Sequence, residues 1–170
     1  GLEVFVDADF AGNWKNANED QPENCMSRTG FLIRYQGWNI YWKSQLQTEI
    51  TLSTAESEYV ALSQSLRSAI PVLNTLVDLH KVFSQIDISK PKIHITVHED
   101  NTSTIMMASS EKFTQRTKHI TLKYHWFKKY VTDGLIDILH ISTQDQLADI
   151  FTKPLDETTF KRLKKKICGY

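Results

Sequence analysis

Two short runs in this sequence combine apolar alternation with terminal acids: "FVDADF", Phe5 to Phe10, and "IHITVHED", Ile93 to Asp100. Burial penalises a carboxylate's charge, so an acid aimed from the end of a buried strand calls for a chemical reason. If these strands are parallel neighbours, Asp7 and Asp100 emerge together at the C-terminal edge, where open α/β sheets place their ligands. Glu58, one turn into a predicted helix, and Asp149, in a predicted helix just after the last strand, can join them from two further elements. Four acids packed this closely repel one another, and the arrangement makes sense if divalent cations neutralise it. Two Mg²⁺ ions ~4 Å apart can activate a water and stabilise the leaving oxygen in phosphodiester hydrolysis. Taken singly, Asp7 or Asp100 reads as a turn cap, Glu58 as a solvated helix residue and Asp149 as a complement to a helix dipole; their conjunction carries the chemistry. Glu56 and Asp9 are the rivals. Glu56 fits the capping box that opens with Ser53 and would face the helix start, whereas alternation points Asp9 to the same face as Asp7.

The elements that must position these acids follow from periodicity. "LEVFVDAD" (2 to 9), "TGFLIRY" (29 to 35) and "WNIYWKSQL" (38 to 46) alternate as three strands of a meander, with "QGWN" as a tight turn. "GNWKNANEDQPENCMS" is a polar surface loop between the first two. "STAESEYVALSQSL" opens a helix in which Tyr59, Ala61, Leu62 and Leu66 keep helical spacing, and Pro71 predicts a kink or restart. "PKIHITVHED" reads as a buried parallel strand, "NTSTIMMASS" as a short helix, and "RTKHITLKYHWFKKYVTDG" as a long basic helix ending at Gly134. "LIDILHI" is a fifth strand and "TQDQLADIFTKP" a helix stopped by Pro154. The expected order is β β β α β α α β α in a single domain over residues 1–170, with an extra basic helix from about 156 to 167.

Composition bounds the function. Hydrophobic content of 41% is ordinary for a globular chain, and no apolar run approaches the length needed to span a bilayer. With no signal-peptide pattern at its N-terminus, and with Cys25 and Cys168 far apart, the chain is expected to be intracellular, without a disulfide framework or a zinc site. Twenty basic and twenty acidic side chains give zero formal charge, yet they are unevenly placed. Residues 1–60 hold nine acids against four bases, residues 112–130 hold six bases and no acid, and "KRLKKK" lies near the C-terminus. One region suits cations and another anions.

The segments "DADFAG", "RTGF", "LSTAESEYVAL", "EDNTSTIMMA", "RTKHITLKYHWF" and "DQLADIFTKPL" closely resemble the ribonuclease H domain of copia-type LTR retrotransposon polyproteins. The resemblance implies the α/β ribonuclease H-like fold: a mixed five-stranded sheet, three antiparallel strands then two parallel, flanked by helices. It implies a ribonuclease H that hydrolyses the RNA strand of RNA·DNA hybrids with two Mg²⁺ ions, Mn²⁺ being able to substitute. The family's metal-binding and catalytic quartet falls on Asp7, Glu58, Asp100 and Asp149. Asp7 would bridge both ions, Asp149 would complete the site that activates the water, and Glu58 and Asp100 would hold the second ion. Expected nucleic-acid contacts are Ser53 and Thr54 at the helix start, Asn101 as reader of the RNA sugar, and Arg116, Lys118, Lys123 and Lys128 along the DNA backbone, with Tyr124 and Trp126 as core residues. Partners would be the hybrid and a polymerase domain upstream in the same polyprotein, in a cytoplasmic virus-like particle, with no membrane. The alternative is a noncatalytic module of the same fold that packs against a polymerase or binds nucleic acid, with exposed apolar surface around Met106 and Met107. One departure stands out. Cellular ribonucleases H carry a histidine in the loop before the last aspartate, whereas "ISTQD" has none; His140 reads as a strand side chain, and His98, on the same face as Asp100, is the histidine worth testing.

Overall fold

The structure is a computed structural model that describes residues 1–12, 22–83, 93–110 and 124–170. Five strands form one sheet in the order β3-β2-β1-β4-β5: β1 Leu2–Asp9, β2 Arg28–Tyr35, β3 Trp38–Leu46, β4 Ile95–Glu99 and β5 Ile136–His140. The first three are antiparallel; β4 joins β1, and β5 joins β4, in parallel. The mixed sheet is the one expected from the sequence. Gln36 and Gly37 both have positive φ, the conformation that lets a two-residue hairpin follow the sheet's twist.

Alternation sorts β1 into two faces. Leu2, Val4, Val6 and Ala8 pack with Ile33, Val97, Tyr59, Leu62 and Leu66 against helix α1, Thr54–Phe83. Phe5 packs on the other face with Leu32, Leu147, Ala148 and Leu163, the last from the C-terminal helix α4, Glu157–Cys168. Between them in the chain lie α2, Thr102–Ser109, and the short α3, Lys128–Thr132. Among the described residues no helix is long and apolar enough to cross a membrane.

Three expectations need correction. Helix α1 runs unbroken through Pro71, which is exposed, so the bond lost to its missing N–H lies at the wet surface. The part of the expected basic helix that is described begins with a 3₁₀ turn, His125–Phe127, before α3, and residues 111–123 lie outside the description. Here Tyr124 and Phe127 enter the core, while Trp126, expected there too, is exposed over α1, its indole N–H donating to Ser63 Oγ at 2.9 Å. The segment before Pro154 is two 3₁₀ turns, Thr143–Asp145 and Leu147–Phe151, instead of a helix. The physical reason is Gln146, which stays extended between them and sends its side chain into the sheet.

Candidate metal centre

Strands β1 and β4 pair from Leu2–Ile95 to Phe5–His98, after which the ladder stops. Gln146 closes the gap. Its Nε2 donates to Val6 O at 2.8 Å and His98 O at 3.2 Å, while its Oε1 accepts from Ala148 N at 3.2 Å. The side chain is fully buried and serves as a substitute rung, leaving Asp7 and Asp100 beyond it at the open edge. Gln146→Leu should therefore strand two buried carbonyls and cost about 2 kcal/mol by urea unfolding; a change within a few tenths would show that the rung is dispensable.

Helix α1 supplies Glu58. Ser53 Oγ accepts from Glu56 N at 3.2 Å, and Glu56 Oε2 accepts from Leu52 N at 2.8 Å, so Glu56 is committed to the helix start. Gln47 then ties this turn to β2, its Nε2 donating to Thr29 Oγ1 and to Ser57 O. Glu58, the next residue, is buried and aimed at the sheet edge. Carboxylate oxygens of Asp7, Glu58 and Asp100 lie within 4.8 Å of one another, contributed by β1, α1 and the residue after β4. Together with Ala8, Asp9, Phe10, Thr54, Asn101 and Lys153 they line an open cleft of roughly 410 Å³.

Asp149 approaches from the 3₁₀ turn Leu147–Phe151 rather than from an α-helix, and its Oδ1 lies 2.9 Å from Lys153 Nζ. The same ammonium is 3.8 Å from Asp7 Oδ2, which also accepts a hydrogen bond from Thr152 Oγ1. The close approach of this turn depends on Gly30, the β2 partner of Asp7. A Cβ there would stand 2.5 Å from Thr152 Cγ2 and 2.8 Å from Phe151 Cβ.

Electrostatics of the cluster are those of carboxylates starved of water. Burial, partly offset by Lys153 and Thr152, pushes Asp7 up to about 6, with Asp149 and Asp100 adding to the rise. Glu58 is held well above the usual carboxylate range by burial first, then by the charges of Glu99, Asp7 and Asp100. Glu99, fully buried on the α1 face of β4, is raised in the same way. Asp149 is raised by burial, against which Lys153 works. Oxygen Oε2 of Glu58 and Oε2 of Glu99 are buried with no hydrogen-bond partner. Converging hard oxygens, one of them unpartnered, fit a divalent cation such as Mg²⁺ or Mn²⁺.

The other predicted contacts divide. Thr54 and Asn101 line the cleft, whereas the Ser53 hydroxyl is used by the helix cap. Asn101 Oδ1 caps α2 by accepting from Ser103 N and Thr104 N, so its amide nitrogen is the end that faces outward chemistry. Arg116, Lys118 and Lys123 lie outside the described residues, and Lys128 donates to Ser110 O. His98 stacks on Phe5 and faces Glu3 Oε1 at 3.6 Å, back along β1 from the acids, and His140 is exposed at the end of β5. The sequence reading passed over Glu99, Thr152, Lys153, Gln146 and Gly30. Of these, Glu99 carried a signal: it continues the buried face of Ile95 and Val97 with an acid where an apolar residue belongs.

No family model matches the chain. It is 31% identical over 166 residues to the retrovirus-related Pol polyprotein from transposon TNT 1-94 of Nicotiana tabacum, and 29% identical to that from transposon RE2 of Arabidopsis thaliana. Each match covers 98% of this chain but only 11% and 10% of those polyproteins, so the chain spans about a tenth of their length. Thirty per cent identity over 82% of the chain links it to the transposon Ty1-DR5 Gag-Pol polyprotein of Saccharomyces cerevisiae. Among solved structures, a ribonuclease H1 isolated from compost by a metagenomic approach aligns with a TM-score of 0.60 at 18% identity, covering 95% of this chain and 97% of that one. Ribonuclease H1 of Halobacterium salinarum aligns at 0.55 and 12% identity, covering 89% and 93%. These likenesses show the fold.

Proposed function

The chain is a ribonuclease H-fold homologue of copia-type retrotransposon Pol polyproteins, and we propose that it is a metal-dependent endonuclease hydrolysing the RNA strand of RNA·DNA hybrids during reverse transcription. The observation that carries this reading is the convergence of Asp7, Glu58 and Asp100 at one edge, within 4.8 Å, around a buried oxygen of Glu58 that finds no partner in the protein. Asp7, Glu58, Asp100 and Asp149 would hold two divalent ions. Bound there, such ions supply an activated water and neutralise charge on the leaving oxygen.

The protein's own part is positioning. Asp7 faces both groups of acids, being close to Glu58 and Asp100 on one side and joined through Lys153 to Asp149 on the other. Thr152 donates to Asp7 and fixes its carboxylate plane, and Gln146 fixes the spread of the two strands. Thr54 and Asn101 line the cleft wall; Thr54 would offer a hydroxyl to a phosphate, and the Asn101 amide nitrogen would donate to a 2′-hydroxyl, the group that distinguishes RNA from DNA. Work on the hybrid would take place in the cytoplasmic particle of the element, beside the polymerase of the same polyprotein.

A noncatalytic reading has its own observation. Strand β3 is an edge strand whose Trp38, Ile40, Tyr41 and Trp42 are exposed, and an apolar cleft of about 230 Å³ separates Trp42 from α4. This surface is larger than that at α2, where Met106 is exposed but Met107 packs against the core. It suits protein contact. The two readings part in one assay: a labelled RNA·DNA hybrid beside RNA·RNA and DNA·DNA duplexes, with Mg²⁺, Mn²⁺ or EDTA. Cutting of the hybrid's RNA strand alone, dependent on metal and lost in Asp100→Asn, is the expected result. Hybrid binding without cutting under either metal would favour the noncatalytic module.

A further inference from the structure

The positive charge inside the acidic cluster comes from Lys153. Its backbone N–H bonds Asp149 O at 3.3 Å, an α-type turn that closes the 3₁₀ segment, and this folds its side chain back over the residue four positions earlier. Its ammonium therefore lies 2.9 Å from Asp149 Oδ1 and 3.8 Å from Asp7 Oδ2, carboxylates whose side chains are 7% and 3% exposed. Asp149 meets the trio of Asp7, Glu58 and Asp100 on its Asp7 side, where Lys153 also lies. The side chain of Lys153 is 33% exposed and lines the open cleft, so it has a way out.

Resting on the metal-dependent reading above, we propose that Lys153 is a built-in counter-ion that competes with the divalent cation held between Asp7 and Asp149. One ammonium and one divalent ion cannot share two carboxylates at these distances without strong repulsion. Loading this half of the centre therefore requires the lysine to swing into the cleft, while the half formed by Asp7, Glu58 and Asp100 fills without that displacement. The two halves consequently differ in affinity, the Asp149 half being the weaker. Once displaced, the ammonium stands at the mouth where a substrate phosphate arrives, coupling metal loading to the presence of an anion.

Calorimetric titration of the whole chain with Mn²⁺, for wild type and Lys153→Met, tests this. Wild type should show two unequal binding events, and in Lys153→Met the weaker should tighten roughly tenfold or more. Binding with unchanged or weakened affinity in the variant overturns the competition and leaves the metal-dependent reading intact. Absence of metal binding in both proteins overturns both. A lysine that merely braced the fold would not move the affinity in this direction. Should the variant fold poorly, reductive methylation of wild type followed by mass spectrometry gives the same answer: Lys153 should be protected in EDTA relative to exposed Lys161 and become reactive with Mg²⁺. Equal reactivity with and without the ion would reject the displacement.

Discussion

Glu58→Gln should stabilise the metal-free protein by about 2 kcal/mol at pH 7.5 while lowering hybrid cleavage about a thousandfold or more. The two effects have one cause. Glu58 is buried beside Glu99, Asp7 and Asp100, and its folded-state affinity for a proton is raised by burial first and by these charges next. A raised carboxylate contributes favourably only below its unfolded value of ~4.3; as pH rises above that, the unfolded state releases its proton freely while the folded state must hold one or bear the charge. Near neutrality the native acid is therefore a liability that glutamine removes at almost the same shape. The gain should shrink toward zero as pH falls to ~3.5, below the unfolded value, where both wild-type states are protonated. Divalent ions should reverse the order, because they bind the folded wild type and lift its stability by mass action, an effect the variant largely loses. Urea unfolding in EDTA at the two pH values, repeated with Mg²⁺, checks this. A destabilised variant at pH 7.5, or an equal gain at both, would remove the electrostatic account.

The same tension explains which parts of the centre were legible in the sequence. Asp7 and Asp100 stood out because apolar alternation that ends in an acid is a local pattern, and Glu58 could be chosen over Glu56 because the capping box claims the latter, as the hydrogen bond from Leu52 N to Glu56 shows. The sheet was legible for the same reason: strand periodicity and a two-residue turn are short-range signals. Asp149 could be named but not its local structure, since Gln146 breaks the expected helix for the sake of carbonyls on β1 and β4, partners more than forty residues away. Lys153 and Gly30 act through distant contacts of the same kind. Pro71 misled in the opposite direction, because an exposed face of a thirty-residue helix can lose one hydrogen bond to water without breaking.

Gly30→Ala carries the second large effect, and it isolates position from charge. Gly30 sits opposite Asp7 in the β1–β2 ladder, and its backbone is ordinary strand, so conformational strain has no part in the argument. Space decides it. The added Cβ would meet Thr152 Cγ2 at 2.5 Å, Phe151 Cβ at 2.8 Å and Ala148 O at 3.2 Å, and the 2.8 and 3.2 Å neighbours are anchored in or directly on the backbone of the 3₁₀ turn. That turn is in turn held by Leu147 and Ala148 in the cluster with Phe5, Leu32 and Leu163, so it cannot yield by rotating a side chain. It must lift from the sheet as a unit, taking with it Asp149, Lys153 and the Thr152 hydroxyl that donates to Asp7. Overpacking of this kind costs roughly 2 kcal/mol. Activity should fall about a hundredfold at temperatures where the variant remains folded, because a displacement near 1 Å at a reacting centre has that consequence. Gly37→Ala is the matched control: its φ of +82° makes alanine strained, but nothing lies within 4 Å of a Cβ there, so about 1 kcal/mol of stability should be lost with cleavage unchanged. If Gly30→Ala keeps the wild-type rate while folded, the closeness of the turn to β2 does not set the position of Asp149, and the metal centre tolerates more play than these contacts imply.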